Sequence, residues 1–250
     1  MRIGALELRV APLPAVTALL MLALLLSAGF WQLRRAEEKR AMAVERAYRG
    51  EKEVLILEPA VSVSAGLGQL RHRRAVASGH YRNDIQYLLD NRTHELVAGY
   101  HVLTLFRLQG SDVHLLVNRG WLPVGPDRGR LPNLIVSEEA VLEQGMIVAP
   151  PASGLMLGAS GYDDPGWPRV VQHVDLARIQ EQLGDPLLPF VLRLSAASEY
   201  GYERDWRVRT SLTAQRHVGY AVQWFALAAA LVTLCIWAAV KRPPEEHNGS

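Results

Sequence analysis

Two long segments without charge constrain this chain more than any other feature. Residues 10–33 contain no charged side chain, and neither do residues 218–240. Each segment exceeds the roughly 20 residues that an α-helix needs to cross the hydrocarbon core of a bilayer. The first is also too long and too leucine-rich to favour a cleaved signal peptide. The sequence therefore predicts two spans of the lipid bilayer, with both termini on the same side of it.

The charges beside the predicted spans do not fix their orientation. Basic residues flank both ends of each span. The intervening segment, residues 34–217, is far longer than the loops of up to about 60 residues for which an excess of positive charge marks the cytoplasmic side. The side of the membrane that holds this segment is therefore left open by the residues alone.

Composition limits the partners and the chemistry of the central segment. The 27 basic and 25 acidic residues are interleaved and give a net charge of +2, which argues against a nucleic-acid partner. The single cysteine, Cys235, falls in the second apolar segment and excludes an intramolecular disulfide. A chain of 250 residues with two spans leaves one soluble domain of ordinary size.

Local patterns predict a strand-dominated domain between the spans. Residues 34–50 are rich in Ala, Glu and Arg and predict a helical stalk. Asp175 and Gly184 bracket a helix. Turn residues predict a hairpin connection at 109–112 and a turn at Asp90-Asn91. Strands are predicted at residues 54–57, 74–81, 85–89, 100–108, 113–118, 143–149 and 188–194.

The predicted fold class is a membrane-anchored α+β protein. Two transmembrane helices flank a mainly antiparallel soluble domain that contains one or two helices, because short links between strands favour antiparallel pairing. The predicted order is a first transmembrane helix (10–33), the stalk (34–50), the α+β domain (51–212), a second transmembrane helix (213–240) and a short tail (241–250).

Signatures of catalysis are missing from the sequence. Residues 158–161 lack the spacing of a nucleophile elbow, and the histidines lack the helical spacing of a zinc site, so we predict no catalytic residue and no metal site. The Gly- and Pro-rich residues 150–168 predict a long loop. An enzyme or sensor that uses this loop as a lid is an open alternative.

His217 is the strongest candidate for chemistry, because it lies where the second apolar segment begins. An ionisable residue there is costly and more often faces a partner or a pocket than lipid. Tyr220 and Trp224 follow at i+3 and i+7 and share its helix face. A neutral imidazole could ligate haem iron, with these rings on the macrocycle and Arg216 or Arg34 near the propionates. The alternative is an interfacial histidine that extends to the lipid headgroups.

Ordered motifs along most of the chain resemble the surfeit locus protein 1 family. One departure is residues 213–216, Thr-Ala-Gln-Arg, where that family commonly has a Pro-Glu-Lys-like sequence. The similar segments are Gly29-Phe30-Trp31-Gln32-Leu33 with Arg35, Leu89-Asp90-Asn91-Arg92 with Gly99, Val117-Asn118-Arg119-Gly120-Trp121-Leu122-Pro123, Trp167-Pro168-Arg169-Val170-Val171-Gln172, Asp205-Trp206, and His217-Val218-Gly219-Tyr220-Ala221-Val222-Gln223-Trp224-Phe225.

This resemblance implies a non-catalytic assembly factor for cytochrome c oxidase. It implies an inner-membrane protein with cytoplasmic termini and a periplasmic domain, which helps deliver or position haem a in subunit I. It further implies that His217 is the iron ligand, that haem a is bound transiently, and that haem a synthase is a second candidate partner. A haem-free scaffold that stabilises an oxidase intermediate is the alternative. Beside these roles, we expect Arg119 to fix the fold rather than to bind a propionate.

Overall fold

The computed structural model describes residues 2–3, 6–8, 12–59, 67–137, 139–151, 161–206 and 213–241. Two compact units divide the chain. The first comprises residues 1–45 and 208–250, and the second comprises residues 46–207. The tail beyond residue 241 and residues 152–160 of the predicted 150–168 loop lie outside the described residues.

The described elements follow one another in an order that places most strands between two long helices. They are β1 (Arg2–Ile3), β2 (Leu6–Leu8), α1 (Pro12–Glu51), β3 (Leu55–Ile56), α2 (Leu67–Leu70), β4 (Arg74–His94), β5 (Val97–Leu108), β6 (His114–Pro123), β7 (Val141–Val148), β8 (Arg169–Val171), α3 (Leu176–Leu183), β9 (Leu187–Leu194), α4 (Ala214–Ala239) and β10 (Val240–Lys241).

The first unit contains the two helices that are long and apolar enough to cross a membrane, α1 and α4. Most of their large apolar side chains are exposed, including Leu20, Leu24 and Trp237, which is not how the core helix of a soluble protein is packed. Strand β2 pairs antiparallel with both β1 and β10. The chain is therefore a membrane protein with two candidate spans.

The second unit is built on a sheet that closes into a barrel. Strand β4 pairs with β7 through residues 74–79 and with β5 from Gly79 onward. Strand β6 pairs with both β5 and β9, and β9 pairs with β7, which closes the barrel. Alternate residues of all five strands fill the interior, among them Ala77, Phe106, Val117, Ile147 and Phe190.

Helix α3 covers part of the outer face of this barrel. Its buried Ile179 packs with Leu103, Leu105 and Leu116 of the sheet. The Asp175 side chain accepts a hydrogen bond from the Arg178 amide, and Gly184 ends the helix in the left-handed conformation, as the sequence predicts. These contacts give the outer face a second apolar core.

The predicted α+β fold class with two flanking helices is confirmed, with one refinement of the sheet. The sheet is mixed, because β3 and β8 pair parallel to β4 and β9 pairs parallel to β6. The predicted turn at Asp90-Asn91 is wrong. Asn91 adopts a left-handed conformation with φ 57° at an irregularity within β4, and the strand turns at Glu95 and Leu96 instead.

Candidate functional site

The two long helices pack through small side chains. The buried positions of α1 include Gly29 and Ala36, and those of α4 include Ala221 and Ala228. The Phe225 ring lies against Gly29, where an added Cβ would meet it at 2.7 Å. Small residues let membrane helices associate through van der Waals packing, because lipid leaves no hydrophobic driving force between them.

A polar pair lies within this otherwise apolar contact. His217 of α4 is buried, with 5% of its surface exposed. Its Nδ1 lies 2.7 Å from Oε1 of Gln32 on α1. The pair lies one turn of α4 before Ala221 and one turn of α1 before Ala36, so it belongs to the same helix contact.

The Gln32 contact defines which nitrogen of His217 is free. A carboxamide oxygen only accepts hydrogen bonds, so Nδ1 carries the proton and donates it to Gln32 Oε1. In the neutral imidazole the Nε2 lone pair then has no proton on it. Within the described residues Nε2 has no hydrogen-bond partner, and it is not among the fully enclosed polar atoms. This arrangement leaves Nε2 free to donate its electron pair to a metal.

The other predicted site residues differ in how far they are buried. Trp224 is half-buried, whereas Tyr220 is 43% exposed. Arg34 and Arg216 are both exposed. The structure thus brings Trp224 onto the face of His217 and leaves the two arginines at the surface of the helices.

In the comparison with protein-family models, one match includes both the helix pair and the barrel. The model of the SURF1 family, the surfeit locus protein 1 family, matches residues 19–229. The chain belongs to the SURF1 family. The comparison with curated proteins finds no match. The SURF1 family is generally associated with cytochrome c oxidase assembly, and both Gln32 and His217 fall within the matched residues.

The most recognisable SURF1 motif of the soluble unit, residues 117–123, contains a buried arginine. Arg119 donates from Nε to the Tyr200 carbonyl at 2.7 Å and from Nη1 to the Leu134 carbonyl at 2.9 Å. Its guanidinium also lies over the rings of Tyr81 and Tyr202. Arg119 therefore ties two loops to the barrel, which agrees with the structural role expected from the sequence.

A β-bulge at Arg119 sets the positions of Asn118 and Gly120 in this SURF1 motif. Val102 pairs with Gly120 while Leu103 pairs with Asn118, so Arg119 is the extra residue. Gly120 has φ 121°, and an added Cβ would meet the Glu203 carbonyl oxygen at 2.7 Å, so only glycine fits there. The bulge places the Asn118 amide beside His101, and Trp121 donates to the Arg92 carbonyl at 2.8 Å.

The described part of this SURF1 chain shows no group of three or more His, Cys, Asp or Glu residues that could hold a metal ion. The carboxylate of Asp163 pairs with Arg178.

Proposed function

We propose that this protein holds haem a for insertion into subunit I of cytochrome c oxidase, without catalysing a reaction. The observation that carries the proposal is the buried His217, whose Nδ1 is held by Gln32 and whose Nε2 is free. Membership of the SURF1 family, which is associated with oxidase assembly, supports the choice of partner.

The residues of the helix pair fit a haem group in three respects. His217 offers an imidazole nitrogen, which is a common axial ligand of haem iron. Gln32 supplies the acceptor for the other ring nitrogen that metal-bound histidines almost always have. The half-buried Trp224 and the apolar side chains around it suit the macrocycle, and a bound haem would supply the iron for the imidazole.

The remaining candidates have supporting roles in this proposal. Tyr220 would pack on the macrocycle beside Trp224, and Arg34 and Arg216 would provide cations for the propionates. The soluble unit lies on the periplasmic side of the inner membrane, and both termini are cytoplasmic. Haem a synthase is the donor in this scheme, and binding is transient because the haem must move on to subunit I.

Absorption spectroscopy of the purified protein tests the iron ligand. The full-length chain is isolated in detergent from cells that make haem a, as wild type, as His217→Ala and as His80→Ala. His80 is exposed on the barrel and serves as the matched control. We expect a histidine-ligated Soret band in the wild type and in His80→Ala, and its loss in His217→Ala.

Two results would contradict this assignment, each in a different way. A Soret band that survives His217→Ala with unchanged shape would show that another residue binds the iron. A wild-type protein without haem would favour the scaffold alternative. The haem and copper contents of subunit I, measured with and without this protein, then distinguish delivery of haem from stabilisation of an intermediate.

A further inference from the structure

Arg92 carries a charge that the described part of the protein does not compensate. This residue lies on β4, next to the irregularity at Asn91, and its side chain is half-buried. Its Nε is enclosed without a hydrogen-bond partner, and burial alone lowers the pKa of its guanidinium. An arginine stays protonated even so. Buried charges are normally paired, so an arginine without a carboxylate or carbonyl needs an explanation.

Arg193 of β9 presents a second charge of the same kind. Within the part of the chain that the structure describes, its Nε is also enclosed without a partner, and its Nη2 reaches only the Met146 sulfur, at 3.8 Å. Its guanidinium lies 5.1 Å from the centre of the Trp206 ring. Burial, and after it the charge of Arg46, lower the pKa of Arg193. Thioether and ring contacts are weak compensation for a half-buried cation.

His101 of β5 is the third donor of this cluster. Asn118 Oδ1 accepts from the Gly120 amide at 3.1 Å, which orients the Asn118 Nδ2 toward His101 Nδ1, 3.4 Å away. Nδ1 is therefore an acceptor, and the ring proton lies on Nε2. Burial, then Arg92 and Arg193, lower the pKa of His101 to about 4. The ring is neutral at physiological pH, and its Nε2–H is a donor.

The surroundings of the three donors add positive charge rather than negative. Among the described residues, no carboxylate acts on the pKa of Arg92, Arg193 or His101. His72 lies on the same side, and burial together with the charges of Arg71, Arg46, Arg193 and Arg49 lowers its pKa. Trp206 packs edge-on against His101, with the ring centres 5.8 Å apart. The cluster is a set of fixed donors beside an aromatic ring.

We propose that Arg92, Arg193 and His101 form an anion-binding site on the outer face of the barrel, with Trp206 as its aromatic wall. The ligand is a carboxylate or phosphate group of a larger molecule. Two half-buried arginines and one neutral imidazole donor match the acceptor-only oxygens of such an anion. Either a haem propionate or the headgroup of an anionic lipid supplies this chemistry.

Thermal unfolding of the full-length protein in detergent tests the site without any assumption about haem. The variants are Arg92→Gln, Arg193→Gln and the double variant. Arg107→Gln is the matched control, because Arg107 is on the same sheet but is exposed and paired with Asp112. In chloride buffer, loss of either uncompensated charge should raise the midpoint by about 2–4 °C, whereas Arg107→Gln should not raise it. Inorganic phosphate should stabilise the wild type and not the double variant.

Two further arms identify the source of the anion. In nanodiscs, we expect phosphatidylglycerol to stabilise the wild type relative to phosphatidylcholine if the ligand is a lipid headgroup. With haem, we expect the free diacid to bind about tenfold or more tightly than its dimethyl ester if the ligand is a propionate. The double variant should abolish the preference for the anionic lipid, or reduce the preference for the diacid, since Arg34 and Arg216 remain in it.

The site is refuted if the wild type and the double variant respond equally to phosphate, lipid and haem carboxylates. It is also refuted if Arg107→Gln reproduces the changes seen in the double variant. A loss of the haem Soret band in His217→Ala leaves this test intact, because the phosphate and lipid arms do not involve iron. Failure of haem binding and failure of the anion site are thus separate results.

Discussion

Gln32 and His217 lie 185 positions apart in the sequence, yet Gln32 Oε1 accepts a hydrogen bond from His217 Nδ1 at 2.7 Å. This contact joins the two helices that are apolar enough to span a membrane. Because it occupies one ring nitrogen, it determines which nitrogen remains for a ligand.

Removal of the Gln32 acceptor should weaken haem binding while His217 stays in place. We predict that Gln32→Leu lowers haem affinity by about 10- to 100-fold, the usual cost of losing a partner of a metal-bound histidine. Gln32→Glu should retain most of the affinity, because its carboxylate also accepts from Nδ1. Haem titration followed by absorbance measures both. Gln223→Leu, an exposed glutamine of α4, is the control and should bind as the wild type does.

Gly29 should tolerate no side chain while the Phe225 ring is present. We predict that Gly29→Ala destabilises the helix pair by about 1–3 kcal/mol, because the new Cβ overlaps the Phe225 ring. Thermal unfolding in detergent measures the change. Gly219→Ala is the control: apart from its chain neighbours and its own helix backbone, no atom of the described residues lies within 4 Å of the new Cβ, so it should be neutral or stabilising. Gly29→Ala combined with Phe225→Leu should recover part of the loss, and absence of any recovery would contradict this packing.

Arg119 should matter for folding rather than for ligand binding. We predict that Arg119→Met costs at least about 2 kcal/mol, because it leaves the half-buried Tyr200 carbonyl and the buried Leu134 carbonyl without their charged donor. Thermal unfolding and the yield of folded protein report this loss. Arg128→Met removes an exposed arginine and should change stability by less than about 0.5 kcal/mol. Normal stability of Arg119→Met would refute the structural role.

His101 should make stability depend on pH. Its pKa in the folded protein is about 4, below the 6.5 of an unperturbed histidine side chain, so the unfolded chain binds the proton first. The free energy of unfolding therefore falls as pH drops from 6.5 towards 4. We predict that His101→Gln reduces this fall, whereas His80→Gln, at an exposed position, does not. Thermal midpoints measured across this pH range check the prediction, and parallel curves for the wild type and His101→Gln would contradict it.

Local sequence patterns predicted the elements whose determinants are close together in the chain. Helix α3 begins after Asp175 and ends at Gly184, as capping rules require. The hairpin at 109–112 also joins β5 to β6, with Gly110 in the left-handed conformation. These features depend on residues within one turn of each other, so one sequence is sufficient to find them.

The features that sequence patterns missed depend on distant residues. The alternation of apolar and polar residues reveals neither the pairing of β4 with both β5 and β7 nor the short strand β8. The turn at Glu95 and Leu96 contains none of the Gly, Asn or Pro residues that usually signal one. Asn91 carries such a signal but forms an irregularity inside a strand.

The candidate site was predicted in part. The position of His217 at a span boundary singled it out, and helical spacing placed Trp224 on its face. Gln32 and His217 fall at the ends of the two spans that share one side of the predicted membrane, so their proximity could be predicted. Their hydrogen bond could not, because it depends on how the two helices are rotated against each other. The cluster of Arg92, His101 and Arg193 comes from three strands, and only the sheet register assembles it.

Each of the five barrel strands has a strand neighbour on both sides, and this closure matters for a protein whose family works on oxidases under assembly. Exposed sheet edges offer unpaired main-chain groups to which incompletely folded polypeptides adhere. A barrel whose main-chain groups are paired with one another can stay next to an incompletely folded subunit without aggregating with it.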